Sequence, residues 1–259
     1  MNQIEKIIDE KLNDIEEKEN VKILHAVESG SRAWGFASPD SDYDVRFIYV
    51  RKKEDYLSLN QKRDVIEWQL DEILDINGWD LKKALQHFHK SNATLFEWSN
   101  SPIVYRTTKE WQSIYSQAQE YFSVKSSLYH YYGTANSNFY EYLQEDEVKY
   151  KKYFYVIRPL LACKYIMEHI SPPPVLFSEL MKQELPHEIK QKIQELLEVK
   201  ANTPEAGKGQ RIDILNQYIE KELGEYKEYV TELEDDRIRE WDTLDKIFLG
   251  QLSEFIIER

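Results

Sequence analysis

The stretch ESGSRAWGFASPDSDYDVRFIYV, residues 28–50, decides the reading of this chain. It opens with the Gly and Ser of a tight turn, passes through SPDSD, and ends in DVRFIYV, whose β-branched and aromatic residues mark a buried strand. Two carboxylates, Asp42 and Asp44, stand at the entry of that strand. Side chains two apart on a strand project to the same side, roughly 6–7 Å apart, while Tyr43 between them turns the other way, into the protein. Charges so placed repel and raise one another's pKa unless a cation neutralises them, and hard divalent cations with oxygen ligands are the usual partners. Upstream, Gly30 and Ser31 follow the short strand VKILHAV, where small residues let backbone N–H groups approach a phosphate. Without these neighbours SPDSD would read simply as a turn, since Asp-x-Asp recurs by chance in loops.

Working outward, Ile4, Ile7, Ile8, Leu12 and Ile15 recur at helical spacing, so an amphipathic helix is expected over residues 2–18. After DVRFIYV, the segment RDVIEWQLDEILDING holds one or two more strands, VIEW and EILDI, ended by Asn77-Gly78. From Trp79 a helix follows, with Leu81, Ala84, Leu85 and Phe88 on one side and Asp80 near its start, where an acid suits the dipole. SPIVY, residues 101–105, is the last strand-like segment. Helices are then expected around 108–122, 124–146, 150–170, 176–200, 209–234 and 240–257, with breaks at SPPP, 171–174, and ANTPEAGKG, 201–209.

The 259 residues, 41% of them apolar, suffice for one large domain or two ordinary ones. No apolar run approaches a membrane span and the acidic amino terminus does not read as a signal peptide, so no membrane role is expected and the cytoplasm is the expected location. A net charge of −13, spread over both halves, argues against a broad surface for duplex DNA, though not against a local basic groove. Cys163, in PLLACKYI, reads as a buried thiol rather than a nucleophile. His87 and His89 lie two apart on a helix, face different ways, and do not make a zinc pair. Lys151, Lys152 and Arg158 in KKYFYVIRPLLAC read as a packing helix with snorkelling lysines rather than as nucleotide contacts, and LYHYYG, 128–133, as core.

Gly30-Ser31, a ten-residue spacer, then Asp42-Tyr43-Asp44-Val45 resembles the signature of the DNA polymerase β-like nucleotidyltransferase superfamily. The longer string, with INGWDLKKAL and SPIVY downstream, looks like its branch of bacterial nucleotidyltransferases of the YcgL type, also described as RlaP-like and tied by that name to RNA repair. The branch resemblance covers residues 21–105, and KKYFYVIRPLLAC extends it into the helical half. It implies a minimal nucleotidyltransferase fold, a small mixed sheet flanked by helices, carrying three carboxylates. Asp42 and Asp44 match the pair that binds two Mg²⁺ ions, and Gly30 and Ser31 match the loop that holds the nucleoside triphosphate. The third carboxylate comes from a later strand; Asp75 is the choice, with Glu67, Asp71 and Asp80 as competitors, Asp80 looking more like a helix-start residue. Arg32 and Arg46 are open to two readings, phosphate contact or a salt bridge to Glu28 or Asp40.

The expectation is therefore an α/β (α+β) nucleotidyltransferase domain over residues 1–107 and an all-α domain over 108–259 that closes one side of the cleft. The resemblance implies Mg²⁺-dependent transfer of a nucleoside monophosphate from an NTP to an acceptor hydroxyl, an RNA 3′ end being the acceptor that fits the RNA-repair tie. A protein side chain or small molecule as acceptor, or a non-catalytic nucleotide-binding module on the same fold, are the alternatives.

Overall fold

A computed structural model of the chain describes residues 3–38, 41–69, 73–202 and 207–254. In chain order the elements are α1 Gln3–Glu19, β1 Lys22–Glu28, α2 Gly30–Ala33, β2 Tyr43–Val50, α3 Lys53–Leu57, β3 Val65–Gln69, β4 Leu74–Asp80, α4 Leu81–His89, α5 Ala93–Ser99, β5 Val104–Thr107 and α6 Lys109–Ala118. There follow α7 Val124–Tyr142, β6 Glu147–Lys149, α8 Lys151–His169, α9 Phe177–Leu180, α10 His187–Asn202, β7 Lys208–Gln210, α11 Asp213–Glu232 and α12 Asp242–Glu254. The class is the expected α/β one, a five-stranded mixed sheet with many helices.

The sheet runs β3-β4-β2-β1-β5. Strand β1 sits between β2 and β5, antiparallel to both, which explains why Ile23–Glu28 is buried on both faces. Strands β2 and β4 are parallel, with β3 returning antiparallel on the outer edge of β4. One face is covered by α1: Ile8, Leu12 and Ile15 pack with Val45, Phe47, Tyr49 and Ile76 in one apolar cluster. The spacing of those isoleucines and leucine makes the helix amphipathic, and Glu16 ties it to the sheet by accepting the Ile23 amide at 2.6 Å.

Asn77-Gly78 does not end the strand as expected; β4 continues to Asp80, and Trp79 lies in the strand rather than the helix. Gly78 is there for packing and not for a turn. It lies opposite Phe47, and a Cβ built on it would stand 2.2 Å from the Phe47 ring. Asp80 then caps α4, its Oδ1 accepting the Lys82 amide at 2.8 Å. The single helix expected over 176–200 is instead two, α9 and α10, separated by a segment containing Pro186. A two-stranded ribbon, β6 with β7, was not legible as strand in either of its three-residue arms.

Two compact units emerge, and they do not follow a single cut near residue 107. The first takes Met1–Gly30, Asp42–Tyr121 and Arg237–Arg259. Within it α12 packs on α4 and α6, His89 stacks on Trp241 at 3.6 Å, and the Tyr121 hydroxyl donates to the Glu240 carbonyl at 2.9 Å. His87 stacks instead on Trp79, so the two histidines do face different ways. The second unit takes Ser31–Ser41 and Phe122–Asp236. Its core is the α7–α8 pair with α11 laid against both; Cys163 is fully buried there, and burial pushes its thiol well up. Arg158 is buried too, 4.5 Å from the Trp34 ring, whereas of the tyrosines in LYHYYG only Tyr131 is core and Tyr129 is exposed.

Gly78→Ala should lower stability by about 2 kcal/mol, because the added methyl can enter only by shifting Phe47 within a filled core. Urea unfolding measures it, and a loss below a few tenths of a kcal/mol would show that the β2–β4 seam is looser than described.

Candidate active site

The site is built where β1, β2 and β4 present their ends. Strand β1 finishes at Glu28, and Gly30 two residues on adopts φ +62°, a left-handed conformation that side chains disfavour. The turn is pinned to β2 by the Ser29 amide, which donates to the Asp44 carbonyl at 2.8 Å, and by the Asp44 amide, which donates to Glu28 Oε1 at 2.8 Å. Glu28 is itself fully buried and accepts the Tyr105 hydroxyl, while its carbonyl accepts Ser101 Oγ at 2.6 Å. A carboxylate buried at the end of an apolar strand is thus a fixed anchor for the backbone of Asp44.

Asp44 and Asp75 are direct neighbours across the parallel β2–β4 pair, about 4.8 Å apart in the backbone. Asp42 precedes the strand and is exposed; Tyr43 turns to the opposite, α1-covered side, as expected. Burial holds the Asp44 carboxyl above its ordinary range; Arg46 pulls it back, and the charges of Asp75 and then Asp42 push it further up. The Asp44 carboxylate also lies where a residue with a side chain at position 30 could not coexist with it: a Cβ on Gly30 would stand 2.2 Å from Asp44 Oδ2.

Between the two carboxylates lies Arg46. Its Nη2 donates to Asp44 Oδ1 at 3.0 Å and to Asp75 Oδ2 at 2.7 Å, and its Nη1 donates to the carbonyls of Asp75 at 2.9 Å and Val45 at 3.1 Å. Among the described residues its ion-pair partners are Asp44 and Asp75 and not Glu28, one of the two expected; the other, Asp40, lies outside the described residues.

The structure therefore brings Gly30, Asp42, Asp44 and Asp75 together in the first unit, while Ser31 and Arg32 belong to the second. There Arg32 donates to the Ser41 carbonyl at 2.6 Å. Of the competitors to Asp75, Glu67 is exposed and paired with Arg63 at 3.2 Å, Asp80 is the α4 cap at the far end of β4, and Asp71 lies outside the described residues. Among the described residues no three His, Cys, Asp or Glu side chains are already gathered as a metal cage. The donor set still suits a hard divalent cation: oxygen ligands from adjacent strands and a carboxyl held up by burial and like charge. Sequence reasoning marks Arg46 as a phosphate or salt-bridge residue and Glu28 as its possible partner, but not the roles found, Glu28 as backbone anchor of Asp44 and Arg46 as clamp on Asp44 and Asp75.

A mixed sheet carrying paired aspartates at one end, next to a Gly-Ser turn, defines the class as a DNA polymerase β-like nucleotidyltransferase. More particularly, the chain belongs to the RlaP family, described as the RNA repair pathway DNA polymerase beta family, whose sequence model matches residues 4–250. It is 46% identical over 255 residues to protein YcgL of Bacillus subtilis (strain 168), covering 96% of each chain. Among solved structures it is similar to a nucleotidyltransferase-like protein from Exiguobacterium sibiricum 255-15, at 14% identity, 96% and 91% coverage and a TM-score of 0.31, too loose a match to equate elements. No helix among the described residues is long and apolar enough to cross a membrane.

Gly30→Ala should cost roughly 1–3 kcal/mol, combining left-handed strain with the clash on Asp44. In an Asp44→Ala background the same change should cost only the strain, so a double-mutant cycle should give a coupling above about 1 kcal/mol. Additive costs would mean that Asp44 does not lie against the turn.

Proposed function

We infer that this chain transfers a nucleoside monophosphate from an NTP to an acceptor hydroxyl, with an RNA 3′ end as acceptor and Mg²⁺ as the required ion. The observation that carries the reading is the juxtaposition of Asp44 with Asp75 on parallel strands, with Gly30 against the Asp44 carboxylate. In this reading Asp42, Asp44 and Asp75 hold the metal ions. Gly30 keeps the approach to Asp44 free of side-chain atoms, and Ser31 and Arg32 bind the triphosphate. Bound divalent ions supply Lewis acidity at the acceptor hydroxyl and neutralise the pyrophosphate leaving group. Glu28 and Tyr105 contribute indirectly, by fixing the backbone from which Asp44 projects. Membership of a family described by RNA repair favours an RNA end over a protein or small-molecule acceptor. The net charge of −13 favours a short engaged segment over a long one.

The Arg46 clamp gives one specific ground for a second reading. A guanidinium already neutralising Asp44 and Asp75 is what a non-catalytic nucleotide-binding module on this fold would retain.

The experiment is thermal melting with Mg²⁺ and each of ATP, GTP, CTP and UTP, for the native chain and for Asp42→Asn/Asp44→Asn, followed by incorporation of the best NTP into an RNA bearing a free or a blocked 3′ hydroxyl. A metal-dependent rise of a few degrees with at least one NTP is expected, lost in the double variant, with label entering only the RNA with the free hydroxyl. A melting shift without incorporation into any acceptor would favour the binding module, and no shift at millimolar NTP would remove the reading altogether.

A further inference from the structure

Strands β2 and β4 run in parallel, so the ends opposite Asp44 and Asp75 also lie side by side, roughly 20 Å away by strand rise. There the first unit opens a cavity of about 230 Å³. In a chain of net charge −13, its lining is cationic: Arg51, Lys62, Arg63, Lys82 and Lys83, against Asp55, Asp64 and Asp80.

The pairing inside the cavity is incomplete in one direction. Asp80 accepts from the Lys82 amide at 2.8 Å and from the Tyr56 hydroxyl at 2.9 Å. Asp64 accepts Lys83 Nζ at 3.0 Å, and Arg63 turns to Glu67. Lys62 and Lys82 have no ion-pair partner among the described residues, although both line the cavity. Arg51, only 6% exposed, lies in the wall 5.2 Å from the Tyr49 ring centroid; its Nη1 donates to the Glu19 carbonyl at 3.1 Å and its Nη2 pairs with Glu19 Oε2 at 3.7 Å. The first turn of α4 enters the same lining through Lys82 and Lys83, its own start being capped by Asp80.

We propose that this cavity is a second ligand site, independent of the aspartate edge, that binds a phosphate group. Lys62 and Lys82, from separate segments and without an ion-pair partner among the described residues, present ammonium donors from two directions, which suits a compact phosphate carrying several acceptor oxygens. At about 230 Å³ the cavity is below the range of sites that enclose a whole drug-sized ligand, so it takes a phosphate or diphosphate moiety, with the rest of the ligand outside. That phosphate belongs either to a small phosphorylated molecule or to the backbone of an RNA strand.

The test is titration calorimetry in EDTA on the full chain carrying Asp42→Asn/Asp44→Asn, so that failure of the nucleotidyl-transfer reading cannot decide the result. Pyrophosphate and a 5′-phosphorylated RNA tetranucleotide are the two probes. Saturable binding of at least one is expected, weakened at least tenfold by Lys62→Ala/Lys82→Ala and less than twofold by Lys182→Ala/Lys221→Ala, which removes the same charge from exposed positions elsewhere. Preference for pyrophosphate assigns the phosphate to a small molecule, and preference for the tetranucleotide assigns it to RNA. No saturable binding of either probe, or equal weakening by the two lysine pairs, would overturn the proposal.

Discussion

The structure of the site depends on one interaction, the guanidinium of Arg46 lying between Asp44 and Asp75. Parallel pairing of β2 with β4 forces these two carboxylates into adjacent positions at one sheet end. Without a cation between them, burial and mutual repulsion both oppose ionisation of Asp44. Arg46 answers from the same strand, two residues on, where strand periodicity puts it on the same face. Its planar group reaches both carboxylates and the carbonyls of Asp75 and Val45 at once, which a lysine could not reproduce. In the proposed working state, ions brought by the nucleotide would compete for the same oxygens, so Arg46 sets how readily the carboxylates accept them.

The surrounding fold keeps that arrangement in register. Glu28 is buried so that the Asp44 amide has a charged acceptor, and the Gly30 turn leaves no side chain to crowd the Asp44 carboxylate. Further along the same strand pair, Gly78 admits the Phe47 ring, which holds β2 and β4 together over the α1-covered core. The two ends of the strand pair then differ: carboxylates gather at one, and a cavity at the other holds five cationic side chains against three acidic ones.

Much of this was legible from residue type and spacing. The isoleucines of α1, the strand DVRFIYV and the turn at Gly30 carry their periods openly, and Asp80 announces itself as a helix cap. Asn77-Gly78 misled because Asn-Gly is turn chemistry unless a neighbouring ring needs the space of the missing side chain, a fact that only pairing with Phe47 supplies. The same limit hid the pairing of Arg46 with Asp75, which is 29 residues away and becomes adjacent only through the sheet. The three-residue arms of β6 and β7 carry no period to read, and the return of α12 onto α4 and α6 is a property of tertiary packing alone.

The most direct measurement is denaturant unfolding of the native chain and of Arg46→Gln at pH 5 and pH 8. The folded-state pKa of Asp44 already lies above the unfolded value of 3.8, so its contribution to stability falls as pH rises through that interval. Removing Arg46 raises the folded pKa further and extends the fall to higher pH. The variant should therefore be less stable than the native chain, by about 1 kcal/mol more at pH 8 than at pH 5, allowing for solvent screening of these partly exposed groups. An equal loss at both pH values, or no loss at pH 8, would contradict the claim that Arg46 is the cation that lets the two aspartates coexist.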